Sequence, residues 1–167
     1  GLIKADRFHD AFKDVFGDIR LEDLEISTIV QTTDLLTGEG VLLEEGLVRE
    51  AVYATSTMFP IMPPLTINGR RLVDGAFTSP LPVLEAIKRD MDVIITLTFE
   101  ERVEQEVENF VGYLMLCMGY SDRWLARSQL AQSIDMHHHE IIPLNFVFNR
   151  RISPWANDEI PAIVDEG

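Results

Sequence analysis

One cysteine, Cys117, in 167 residues excludes an internal disulfide and suits a reducing compartment. Basic residues are scarce: 14 lysines and arginines stand against 28 acidic residues, for a formal charge of −14. A nucleic-acid backbone would be repelled by such a chain at long range, and docking to anionic lipid by charge alone is disfavoured. Long apolar runs are also missing. No stretch of eighteen apolar residues occurs, so no transmembrane helix is expected. The opening Gly1-Leu2-Ile3-Lys4 has neither the length nor the flanks of a signal peptide. It carries no initiator methionine, and the last residues stop within a helical pattern, so the expectation is a piece of a longer protein. Cytoplasm is the default location, with secretion as the alternative.

What is present is the balance of a globular protein: 46% hydrophobic and 25% charged residues over a length that suits a single domain, 1–167. Asp6 opens a short helix with Phe8, Phe12, Val15 and Phe16 on one face and Gly17 at its end. Glu25–Thr33 is rich in β-branched residues and reads as a strand, followed by a turn at Asp34–Gly38 and a short strand at Val41–Leu43. A helix follows over about Leu47–Thr55. Three prolines between Met58 and Leu65 preclude helix or central strand there. Thr66–Val73 is a hairpin centred on Asn68-Gly69. A helix begins near Pro80 and Pro82 and runs to about Arg89, and Asp92–Phe99 reads as a nearly all-apolar buried strand. Helix then covers Val103–Met136, broken near Gly119–Asp122, with Ser121 or Asp122 capping its second half. Glu140–Phe148 is a strand and Asn157 caps a last helix. Apolar strands alternating with helices imply an α/β fold with a largely parallel sheet.

The stretch with most chemical content is Ala54–Pro82. A proline loop, a hairpin and a carboxylate flanked by small residues are unusual as core packing. Gly75 and Ala76 leave room beside Asp74, so a reacting group could approach its carboxylate. A partly dry cleft would raise that carboxylate's proton affinity and make it a general base. On local features alone Asp74 reads more readily as a turn-closing or capping aspartate. Asp34 reads as a structural turn residue that accepts backbone N–H groups. The loop containing Phe59, Pro60 and Pro63 is a candidate cleft lining.

Three segments in register carry a resemblance: TTDLLTGE at Thr32–Glu39, YATSTMFPIMPPL at Tyr53–Leu65 and RRLVDGAFTSPLP at Arg70–Pro82. Their order and spacing resemble bacterial members of the patatin-like phospholipase family. The later LARSQLAQSIDMHHHEIIPL and IPAIVDEG resemble that family's closing helices and strand. The resemblance implies a layered helix–sheet–helix fold and a serine–aspartate dyad that needs no metal or organic cofactor. In such a dyad a serine on a Gly-x-Ser-x-Gly elbow attacks an ester carbonyl, and the aspartate, here Asp74, takes its proton. A glycine-rich loop supplies oxyanion donors. Substrates are phospholipids, lysophospholipids or simpler esters, which allows transient membrane contact.

The departure from that pattern is large. No Gly-x-Ser-x-Gly occurs; Gly119-Tyr120-Ser121-Asp122-Arg123 has arginine at the second glycine and lies after the aspartate. Nucleophile and oxyanion loop would precede Gly1, so the chain alone is expected to be inactive and N-terminally truncated. It would associate with itself or with the missing segment. The alternative is a non-catalytic lipid- or partner-binding fragment, or a degenerate relative.

Other candidates are weaker. His137-His138-His139-Glu140 carries metal-ligand side chains, but consecutive strand residues point to opposite faces and do not converge on one ion. His9 is not placed beside Asp74 by the resemblance. Phe110–Met118 is apolar around its whole circumference and reads as a buried helix, a surface bared by truncation or an acyl-chain wall. Cys117 within it reads as buried and inert.

Overall fold

The computed structural model describes residues 6–101, 107, 109–136, 140–148 and 160–166. The element order is α1 (Asp6–Phe16), β1 (Val30–Asp34), β2 (Gly40–Leu43), α2 (Val48–Thr55), β3 (Leu65–Ile67), β4 (Arg70–Asp74), α3 (Val83–Lys88), β5 (Val93–Glu101), α4 (Phe110–Met136), β6 (Glu140–Phe148) and α5 (Ile160–Glu166). Two compact units result, the first from Gly1–Pro82 with Ser121–Gln129, the second from Val83–Tyr120 with Leu130–Gly167.

In the first unit local turn chemistry dictates the sheet. Asn68 and Gly69 take left-handed φ values of 50° and 77°, the pair of positive angles required by the two-residue turn that suits strand twist. Asp34 turns the chain between β1 and β2: its carboxylate accepts the Leu36 N–H at 3.0 Å and its carbonyl accepts the Gly38 N–H at 2.8 Å. Hairpins are antiparallel by construction. The four strands therefore run in the order β2-β1-β4-β3, antiparallel throughout, with Thr32 opposite Asp74 in the β1–β4 register. The largely parallel sheet expected from the alternating pattern is not found here; among the described residues, parallel pairing is confined to β5 and β6.

The strand expected from Glu25 starts only at Val30, since residues 25–27 are exposed and Ile26 faces solvent. Helix α2 packs on β1 and β4, and α1 packs on α2. Leu21, Leu43, Val48, Ala51, Ala54 and Leu72 form the buried cluster between them. Each fully buried leucine there contributes about 1.5–3 kcal/mol of transfer free energy. On α1, Phe12 meets Tyr53 edge-on and His9 stacks on it at 4.3 Å, whereas Val15 points to solvent. Of the apolar stripe read from the sequence, Phe8, Phe12 and Phe16 are half-buried and Val15 is not, while His9 joins the packed side.

In the second unit β5 and β6 pair in parallel, Val93 opposite Glu140 through Glu101 opposite Phe148. The strand β5 was expected to be buried on both sides. Instead it alternates: Ile94 and Thr96 are buried, while Val93, Ile95, Leu97 and Phe99 are exposed. Strand side chains point alternately to opposite faces, and only one face is covered. Helix α4 runs without the expected break, so Ser121 and Asp122 lie in its middle rather than at the start of a second helix. A single interior glycine such as Gly119 costs only about 1 kcal/mol relative to alanine, less than breaking a helix of 27 residues. Cys117, expected to be buried, is exposed. The histidines at 137–139, the helical start at Val103 and the Asn157 cap lie outside the described residues. No helix among those described is long and apolar enough to cross a membrane.

Candidate active site

Asp74 ends β4 and caps a single 3-10 turn, Gly75–Phe77. Its Oδ1 accepts the Ala76 N–H at 2.9 Å, and its own N–H donates to the Thr57 carbonyl at 3.2 Å. Among the described residues its second oxygen, Oδ2, has no hydrogen-bond partner, yet it is not sealed from solvent. Burial pushes the Asp74 carboxyl above the ordinary carboxylate range, and the Ala76 N–H, which favours the anion, opposes this in part. The result is a half-buried carboxylate with one oxygen pinned and one open. Capping, one of the two alternatives at the sequence level, is observed in the bond from the Ala76 N–H.

Gly75 has a different use from the one inferred for it. A Cβ there would lie 2.3 Å from the Gln31 carbonyl oxygen and 2.7 Å from its carbon. Its smallness lets the β1 backbone approach the turn; it does not open space for a reactant. Ala76 is half-buried beside it. The proline loop is anchored by Tyr53, whose hydroxyl donates to the Pro63 carbonyl at 3.0 Å, with Ile61 and Met62 buried beneath. Phe59 is half-buried and Pro60 exposed. Asp34, at the far end of β1, is buried and lies 3.9 Å from the Arg70 guanidinium.

Several residues that hold the Asp74 turn were not legible in the sequence. Thr55 donates to the Gln31 carbonyl at 2.7 Å, the same backbone that abuts Gly75. The buried Thr57 hydroxyl donates to the Tyr53 carbonyl at 2.9 Å, fixing the strand-facing carbonyl that receives the Asp74 N–H. The Thr78 hydroxyl sits 2.9 Å from that of Thr33 and 3.3 Å from the Gly75 carbonyl. From the middle of α4, Gln129 reaches the same turn: its Nε2 donates to the Thr78 carbonyl at 3.0 Å, and its Oε1 accepts from the Ser79 hydroxyl at 3.3 Å. The threonines in the TTD and ATST stretches were the available signal, being polar β-branched residues at element ends. Gln129 had none, because some fifty residues separate it from its partners.

An antiparallel sheet thus delivers a half-buried carboxylate to a tight, cross-braced turn. Comparison with known proteins supplies a family. The family model for patatin-like phospholipase matches residues 1–87, just over half of the 167. The chain belongs to the patatin-like phospholipase family. Among individual relatives it is 29% identical over 103 residues to an uncharacterized NTE family protein of Mycobacterium tuberculosis, and equally to one of Mycobacterium bovis. That match covers 60% of this chain and 29% of each relative. It is also 34% identical over 82 residues to the lysophospholipase NTE1 of Eremothecium gossypii, covering 49% of this chain and 5% of that protein. The chain thus spans under a third of the length of the mycobacterial relatives and far less of the fungal one.

Proposed function

We propose that this chain is part of a serine ester hydrolase that cleaves lipid acyl esters, with phospholipids or lysophospholipids as substrates. Asp74 is its general base. The observation that carries the reading is the state of that carboxylate: half-buried, raised in proton affinity, Oδ1 held by Ala76 and Oδ2 without a hydrogen-bond partner among the described residues. Family membership and the lysophospholipase names of relatives support the substrate class. In the proposed step Oδ2 accepts the proton of a serine hydroxyl as its oxygen bonds to the ester carbonyl carbon. On collapse of the tetrahedral intermediate the proton passes to the departing alcohol, and water repeats the cycle on the acyl-enzyme. The serine lies outside this sequence, which has no Gly-x-Ser-x-Gly, so the chain supplies the base alone and is inactive by itself. No metal or organic cofactor takes part, and the cytoplasm is the proposed location.

The test is Asp74→Asn in the longer protein that carries the nucleophile. Hydrolysis of a short-chain aryl ester should fall by about 10²–10⁴-fold, the usual contribution of a general base, with the fold retained. Near-normal turnover would refute the assignment. A second reading, a non-catalytic lipid- or partner-binding piece, draws on the exposed apolar residues Val93, Ile95, Leu97 and Phe99 along β5. Under it the isolated chain associates with itself or with a partner segment, and a stable monomer by size measurement would count against it. The residue at the position of the serine upstream of Gly1 separates the two.

A further inference from the structure

The peptide group that pins Asp74 is itself held from its other end. The Gly75 carbonyl oxygen accepts the Ser79 N–H at 2.8 Å, the Thr78 N–H at 3.1 Å and the Thr78 hydroxyl at 3.3 Å. That carbonyl and the Ala76 N–H belong to one planar peptide unit and point in opposite directions. The Ala76 N–H is the group that donates to Asp74 Oδ1 at 2.9 Å. Holding the carbonyl therefore aims the N–H. Hydrogen bonds to the carbonyl also polarise the peptide and make its N–H a better donor.

Gln129 holds the two residues that hold the carbonyl. A carbonyl oxygen only accepts, so the Thr78 carbonyl takes the nitrogen of the Gln129 amide, at 3.0 Å. The amide oxygen is left to accept from the Ser79 hydroxyl at 3.3 Å. Both contacts lie within the first unit, to which Ser121–Gln129 belongs. From the opposite side β1 grips Thr78 through the Thr33 hydroxyl at 2.9 Å and the Gln31 amide at 3.4 Å.

We infer that Gln129 is a positioning residue for Asp74. Through Thr78, Ser79 and the Gly75–Ala76 peptide it sets the direction of the N–H that ties Oδ1, and so leaves Oδ2 as the oxygen that meets a reacting hydroxyl. The inference rests on the reading of Asp74 as the base. Without Gln129 the turn keeps its own backbone bonds, but Thr78 is gripped from β1 alone. The peptide can then rock, and the carboxylate with it. A reacting group displaced by about 1 Å loses up to about 10²-fold in rate.

The experiment is a double-mutant cycle in the longer protein that carries the nucleophile, with p-nitrophenyl butyrate as the probe. Gln129→Ala should lower kcat about 10- to 100-fold and leave KM near that of the parent, because the amide directs the base and does not bind the ester. In an Asp74→Asn background the same change should lower kcat no further, since a residue acting only through Asp74 has nothing left to act on. Damage to packing alone would give the same loss in both backgrounds. Gln129→Glu keeps the side-chain shape but removes the donor to the Thr78 carbonyl, and it should show the same loss if Gln129→Ala does not fold. In this chain the Ala76 amide hydrogen should exchange with solvent about tenfold faster in Gln129→Ala, with the amides of the β1–β2 pair unchanged. Full turnover in the Gln129 variants overturns the inference, as does an equal loss with and without the Asp74 carboxylate, or an Ala76 amide whose exchange does not change. Near-normal turnover in Asp74→Asn removes the base assignment and the positioning role with it. Loss in Asp74→Asn beside full turnover in the Gln129 variants removes the positioning role alone, so the two failures are told apart.

Discussion

The sheet that carries Asp74 and the more apolar β5–β6 pair dispose of their apolar side chains in opposite ways. In β4, Leu72 and Val73 are each 1% exposed, and the neighbouring turn is braced by hydrogen bonds with β1, with Thr57 just beyond α2 and with α4. In β5, Leu97 and Phe99 are 50% and 64% exposed, and the buried Thr96 hydroxyl has no hydrogen-bond partner among the described residues. A parallel pair ordinarily has both faces covered. The contrast teaches that hydrophobicity alone does not make a core. A strand side chain is buried when another element is placed over its face, and here α2 packs on β1 and β4.

The largest break in that contrast should come from Leu72→Ala. Removing this core side chain is expected to cost about 2–5 kcal/mol, seen as a lowered urea midpoint. Gly75→Ala tests the bracing: its methyl would meet the Gln31 backbone, which cannot rotate away, and a loss of about 1–3 kcal/mol is expected in the same assay. Ordinary stability there would mean that β1 and the turn are less tightly apposed.

A smaller effect of opposite sign is expected from Asp74→Asn. Burial raises the proton affinity of this carboxyl, so the folded chain binds the proton more tightly than the unfolded chain does. Its favourable contribution is present below the unfolded carboxylate range and lost as pH rises through the raised folded value. Asparagine keeps an oxygen for the Ala76 N–H without a buried charge. The variant should therefore melt higher than the parent at neutral pH, and the advantage should vanish in acid. An advantage that grew on acidification would contradict the sign. Least of all should follow from Leu97→Ala on the open face, within about 0.5 kcal/mol of the parent in the urea assay. A loss approaching that of Leu72→Ala would show that this face is covered in solution.

Much of this architecture was legible from local chemistry. The Asn68-Gly69 hairpin, the Asp34 turn, the proline loop and the helices after Asp6 and Leu47 appear where their residues call for them, because each depends on backbone preferences and hydrogen bonds spanning a few positions. Boundaries and faces were less legible. Ile26 has a strand former's side chain without a neighbouring strand, and Val15 falls on the apolar arc of α1 without a partner to meet. Asp122 looked like a helix cap and lies inside a continuous helix, because the tolerance of one glycine depends on how much helix surrounds it.

Asp74 itself was marked out by its neighbours and by family resemblance, and so was a carboxylate on a tight turn. Its surroundings were not. The approach of Gln31 to Gly75 and the donation from Gln129 to Thr78 both join residues distant in the chain. A sequence determines by itself what neighbouring residues can do to one another: turn, cap, alternate between faces. Which oxygen of Asp74 is tied, and which is left without a partner among the described residues, were decided by tertiary structure, since burial acts through space and takes no account of separation along the backbone.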